Sequence, residues 1–182
     1  MGVGEDGFRR FVNGDQTGFD EVIGLYRENL IFFLTRYVQR PAVAEELAED
    51  AFVELLLHPR RYRFQHPLKT YLFAIGRNKA LNFLKRERRH PVLPLEAAEQ
   101  AEISELEDRF LLREQARALY GVLDGLREDY RTVLHLLYLE GMTAQEAADV
   151  MKKTRKQVEN LAYNAKKAAK AALTKEGISL EN

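Results

Sequence analysis

A chain of 182 residues that is 46% hydrophobic can bury one sizeable core or two small ones, and 31% charged residues mark it as soluble rather than disordered. It holds no cysteine, which excludes a disulfide framework and a thiolate metal site and fits a reducing cytosol. No stretch reads as a membrane span or a signal peptide, so a cytoplasmic location is expected.

The formal net charge of zero conceals strong segregation. Residues 1–59 carry five Lys/Arg against eleven Asp/Glu, residues 60–90 ten against one, residues 91–114 two against seven, residues 115–150 three against six, and residues 151–175 eight against one. Two basic blocks separated by acidic ones predict two contact points on a polyanion, with the acidic blocks facing a protein.

Helical periodicity runs from Phe8 to Leu173 without sustained alternation, which predicts an all-α protein. Gly14 and Asp15 break a first short helix, Phe19 to Val38 form a long amphipathic one, and Pro41 marks the next boundary. A helix from about Val43 to Leu57 places Ala48, Ala51, Phe52, Leu55 and Leu56 on one stripe and groups Glu46, Glu49 and Asp50 outside it. Pro59 ends it, and a basic loop to Pro67 leads into a helix from Lys69 towards Arg89. These elements make a first domain, residues 1–89. Residues 90–107, with two prolines and a run of small and acidic residues, read as a tether. A second helical domain spans residues 108–175, with Gly121, Gly125 and Gly141 near its breaks, and residues 176–182 form a loose tail.

Two segments carry the chemistry. In LKTYLFAIGRNKALNFLKRERR, Asn78, Asn82, Lys85 and Arg89 fall within one narrow helical arc, where carboxamides suit adenine edges and cations suit phosphate or guanine. Just before it, Arg61 and Arg63 alternate with Tyr62, Phe64 and His66, a pattern that suits unstacked bases; Tyr62 and Phe64 equally fit a role as plugs of the domain core. In the second segment, TAQEAADVMKKTRKQVENLAYNAKKAAKAAL, a short helix, a tight turn and a longer helix follow one another. The longer helix buries Val158, Leu161, Ala162, Ala165, Ala169 and Ala172 on one side. Lys156, Asn160, Tyr163, Lys167 and Lys170 recur on the other, and Thr154 is its N-cap. Taken alone, that outer face is either a recognition surface or a solvated basic one.

The ordered series EELAEDAF, basic loop, LKTYLFAIGRNKALNFLKR, proline-containing linker, LREDYRTVLHLLYLEGMTAQEAADVM and recognition helix resembles the two-domain extracytoplasmic-function (ECF) sigma factors of bacterial RNA polymerase, over nearly the whole chain. The resemblance implies that Glu46, Glu49 and Asp50 dock on the clamp helices of core RNA polymerase. It implies that the loop of Arg61, Tyr62, Arg63, Phe64 and His66 captures a flipped base of the melted minus-ten element, with Arg77, Asn78, Asn82, Lys85, Arg86 and Arg89 on or beside the promoter strand. Thr154, Arg155, Lys156, Asn160, Tyr163 and Lys167 would enter duplex DNA at the minus-thirty-five element, the linker would thread the polymerase channel, and an anti-sigma factor would be a partner.

The chain departs from the family pattern at four places. Glu46-Leu47-Ala48-Glu49-Asp50 stands where Asp-Leu-x-Gln-Glu is usual, Asn82 where aspartate is common, Asn164 where arginine is frequent, and Lys152 where the helix-turn-helix turn usually has glycine.

Catalysis is the weakest alternative, because His58, His66, His90 and His135 show no metal-ligand spacing and no paired general acid and base is evident; no cofactor and no metal are expected. A stand-alone helix-turn-helix regulator would use the C-terminal domain only and leaves Arg60 to Arg89 unexplained. A protein-only helical adaptor would need neither basic block.

Overall fold

A computed structural model describes residues 2–89 and 121–175. Every regular element among them is helical, in keeping with the all-α expectation. The chain divides into two compact units, residues 1–103 and 104–182. The predicted tether (90–107), the start of the second domain (108–120) and the tail (176–182) lie outside the described residues.

In the first unit, α1 (Val3–Val12), α2 (Thr17–Val38), α3 (Pro41–Leu57) and α4 (Leu68–Arg89) pack on one another, with a short 3₁₀ turn at Pro59–Arg61. Gly14, at φ +103°, makes the break after α1, a conformation that residues with a Cβ adopt at a cost. Pro41 opens α3 at its first turn, where a missing N–H costs no intrahelical bond. The core is aromatic and aliphatic: Phe8, Val22, Leu30, Phe33, Leu34, Leu68, Leu72 and Phe73 are all at most 1% exposed. Leu56, expected on the buried stripe of α3, is instead 39% exposed. Ala44 and Leu47 are buried with Ala48, Ala51, Phe52 and Leu55, so the buried stripe runs nearer the start of the helix.

Helices α1 and α2 approach so closely at Gly7 and Gly18 that a Cβ on Gly18 would lie 2.1 Å from the Gly7 carbonyl oxygen. The close crossing lets Glu5, 8% exposed, reach across the fold. Its Oε1 accepts the Leu68 N–H at 2.5 Å, placing a carboxylate on the first turn of α4 where unpaired N–H groups and the helix dipole favour negative charge.

The second unit has a helical turn at 121–124, then α5 (Glu128–Leu134), which continues as a π-helical turn through Leu139, then α6 (Ala144–Met151) and α7 (Arg155–Lys175). Small side chains dominate its core: Val133, Ala147, Ala148, Val150, Val158 and Ala165 are fully buried. His135 is buried as a core histidine, with Nε2 3.1 Å from Glu140 Oε1 across the widened turn.

Candidate nucleic-acid and polymerase interfaces

The basic loop is built on the first unit's core. Tyr62 is 4% exposed; its hydroxyl donates to the His66 carbonyl at 2.6 Å, and its ring meets Phe8 at 5.6 Å and Tyr71 at 5.3 Å. Burial, with the Glu5 carboxylate nearby, pushes its phenol well above the ordinary tyrosine pKa. Tyr62 therefore packs as a plug of the core, one of the two roles that its sequence pattern allowed.

Phe64 is half-buried, 4.7 Å from Tyr62 between ring centroids, and adopts φ +56°, a left-handed conformation that costs a non-glycine residue about 1–2 kcal/mol. Arg60, Arg61, Arg63 and His66 are exposed around it, with Arg61 3.8 Å from Glu54. An open groove of about 550 Å³ is lined by Leu57, His58, Pro59, Arg60, Arg61 and Arg63, three of them cations.

Helix α4 leaves this loop with Asn82, Lys85, Arg86 and Arg89 exposed and Asn78 half-buried along the expected arc. Arg77 differs from these neighbours. At 7% exposed it lies between Phe73 and Ala80 on the buried stripe, and its Nε donates to the Tyr37 hydroxyl at 3.1 Å. Arg40 pairs with Glu87 and stacks 5.1 Å from the Phe83 ring centroid, so the single acidic residue of the basic block is neutralised from within the fold.

Both helices of the helix-turn-helix are capped at their N-termini. Thr143 and Glu146 form a reciprocal capping box on α6. Thr154 Oγ1 accepts the Gln157 N–H at 3.2 Å while Gln157 Oε1 accepts the Thr154 N–H at 2.8 Å. Lys152 adopts φ +54°, the left-handed conformation for which glycine is usual. Helix α7 buries Val158, Ala162, Ala165, Ala169 and Leu173, whereas Leu161 and Ala172 are only partly covered. Lys156, Asn160, Tyr163, Asn164, Lys167 and Lys170 are exposed together, Tyr163 at 71%. Arg155, at the entry of α7, has Nε 2.8 Å from Glu159, an exposed i,i+4 pair that contributes little to stability but lays the guanidinium along the helix.

On α3, Glu46, Glu49 and Asp50 are exposed on one side. Glu49 lies 3.6 Å from Arg27, which also pairs with Glu45, so part of this acidic surface is tethered to α2.

The family model described as Sigma-70 region 2 matches residues 22–90, the unit of the basic loop, and that described as Sigma-70, region 4 matches residues 116–168, the helix-turn-helix. The chain belongs to the sigma-70 family of RNA polymerase sigma factors. It is of the two-domain ECF type. It is 29% identical over 174 residues, 90% of each chain, to the RNA polymerase sigma-H factor of Pseudomonas aeruginosa. It is 26% identical over 152 residues to the ECF RNA polymerase sigma-E factor of Haemophilus influenzae, covering 78% of this chain and 80% of the relative. The sigma factor RpoE of Bartonella quintana, solved in complex with the anti-sigma factor NepR, shares the fold at a TM-score of 0.62 and 18% identity, over 86% of this chain and 96% of that one.

The sigma factor binds core RNA polymerase and promoter DNA and directs promoter-specific initiation. Among its described residues no helix is long and apolar enough to cross a membrane, and no group of three His, Cys, Asp or Glu could hold a metal ion. Two of its residues escaped the sequence reading. Glu5 anchors α4 across 63 positions, a separation at which no local pattern signals a contact. The Thr143 capping box was legible as T-x-x-E, directly before the short helix.

Proposed function

We propose that this sigma factor divides promoter recognition between its two units at the residue level. Residues 1–89 hold the melted minus-ten strand through Arg61, Arg63, Phe64 and His66 of the loop and Asn78, Asn82, Lys85, Arg86 and Arg89 of α4. Residues 108–175 place Lys156, Asn160, Tyr163 and Lys167 in the major groove at the minus-thirty-five element, with Thr154 and Arg155 at the entry turn. Glu46, Glu49 and Asp50 dock on core polymerase, and residues 90–107 connect the two sites. The factor works in the cytoplasm by binding energy and performs no covalent chemistry of its own. An anti-sigma factor holds it inactive, as the complex of the Bartonella relative suggests.

The observation that carries this reading is the pairing of two different cationic surfaces in one chain. One is a strained aromatic loop with a cation-lined groove, suited to an unpaired strand. The other is an N-capped helix with an exposed polar face, suited to a duplex. A duplex-binding regulator needs only the second.

Run-off transcription with purified core polymerase and a host genomic fragment library tests it. Transcripts starting downstream of shared, paired sequence elements only when the factor is added are expected, and alanine at Arg61 or Lys156 should lower their yield at separate elements. Retardation of duplex DNA by the chain alone, without initiation, would replace this reading by that of a stand-alone regulator.

A further inference from the structure

Helix α1 ends in two adjacent arginines with different surroundings. Arg10 is committed to acids: its guanidinium lies 3.1 Å from Asp15 and 2.5 Å from Glu21, contacts that stitch α1 to α2 and raise its pKa. Arg9 instead lays its guanidinium over the ring of Phe64, 4.8 Å from the centroid. That ring is held by Phe8, 6.1 Å away, and by Tyr62 at 4.7 Å. The loop residue is strained at φ +56°, and the packing that fixes it also presents it to Arg9. Arg9 is exposed to solvent, as are Arg61 and Arg63 of the same loop.

We infer that Arg9 and Phe64 form a stacking clamp for one unpaired base, so that α1 contributes a strand-binding residue to the loop site; this rests on the strand-binding reading of the loop given above. The chemistry favours a base over other ligands. A guanidinium plane and an aromatic ring are the two surfaces on which bases stack without regard to sequence, and the cation additionally offsets the adjacent phosphate. A base enters by parting the guanidinium from the ring and stacking between them, or by extending the stack on the guanidinium's outer side. Either way Arg9 touches it. Lysine would supply the charge without the plane.

The test uses the full chain and two fluorescein-labelled probes, a 20-nucleotide single-stranded DNA pool of random sequence and a random duplex pool, read by anisotropy at fixed salt. Arg9→Ala should weaken single-strand binding about ten-fold, within the range of one lost stacking contact. Arg9→Lys should recover only a small part of that loss. Duplex binding and the thermal midpoint should stay at the wild-type values, since Arg9 is exposed. Arg61→Ala is measured in parallel. If Arg61→Ala weakens strand binding and Arg9→Ala does not, the clamp is wrong and the loop site stands. If Arg9→Lys restores full binding, a plain charge contact replaces the clamp. If the wild-type chain shows no preference for the strand, or neither alanine has an effect, the loop reading falls and the clamp with it.

Discussion

The two units solve the problem of holding a cationic surface in opposite ways. In the first, the proposed strand-binding loop is continuous with the core: Phe64 packs on Tyr62 and Phe8, and Phe8 is fully buried. In the second, the proposed duplex-reading face of α7 is separated from the core by the helix itself, with alanines inside and lysines outside. Binding through Phe64 is therefore coupled to stability in the first unit, whereas the outer face of α7 is separable from it in the second. A loop must borrow its rigidity from what lies beneath it, whereas a capped helix carries its own.

The sharpest way to break that contrast is Phe8→Ala. Removing a fully buried phenylalanine should cost about 3–5 kcal/mol in the first unit, read as a lower denaturant midpoint, and should weaken single-strand binding in the population that stays folded. A cost below about 1 kcal/mol would show that the loop does not depend on this core. Gly18→Ala comes next. Its new Cβ would meet the Gly7 carbonyl oxygen, which belongs to backbone and cannot swing aside, so α1 and α2 must separate at a cost of about 1–3 kcal/mol. Separating them moves Glu5 away from α4, and slower amide exchange at Leu68 in the wild type than in the variant is the expected signature.

In the second unit, Lys152→Gly should stabilise by about 1 kcal/mol, because the left-handed conformation is free of strain only for glycine. Thermal unfolding of the full chain followed by a probe in the second unit reads this, and an unchanged or lower midpoint would mean that the lysine stem contributes packing that offsets the strain.

Much of this division was legible in the sequence because the relevant signals are local. Gly14, Pro41 and Pro59 delimit the helices where the backbone chemistry requires it. The apolar and polar faces of α7 follow from spacing alone, apart from the partial cover of Leu161 and Ala172. The loop resisted for a physical reason. Tyr62 and Phe64 lie two residues apart in an irregular segment, where no period says which ring turns inward, and the answer depends on Phe8, more than fifty positions earlier. Arg77 was not legible because a cationic residue in a basic run resembles its neighbours, while its register with Phe73 and Ala80 turns it towards the Tyr37 hydroxyl. Glu5 and Arg9 act only through tertiary contacts, with Leu68 and Phe64.

The smallest effect on stability belongs to the lysines of α7, and it is the one that most directly tests separability. Lys156 and Lys167 are exposed, so alanine at both should leave the unfolding midpoint within about 0.5 kcal/mol of wild type, helped by alanine's helix propensity. Binding should change in a particular way. Each lost phosphate contact removes about one unit from the slope of log K against log salt, so the double variant should show a slope shallower by about two on duplex DNA and little change on the single-stranded pool. A steep loss of stability would mean that the lysine stems cover the core after all. An unchanged slope on duplex DNA would move the contact to another face, and the second unit would then read DNA by a surface other than the exposed side of α7.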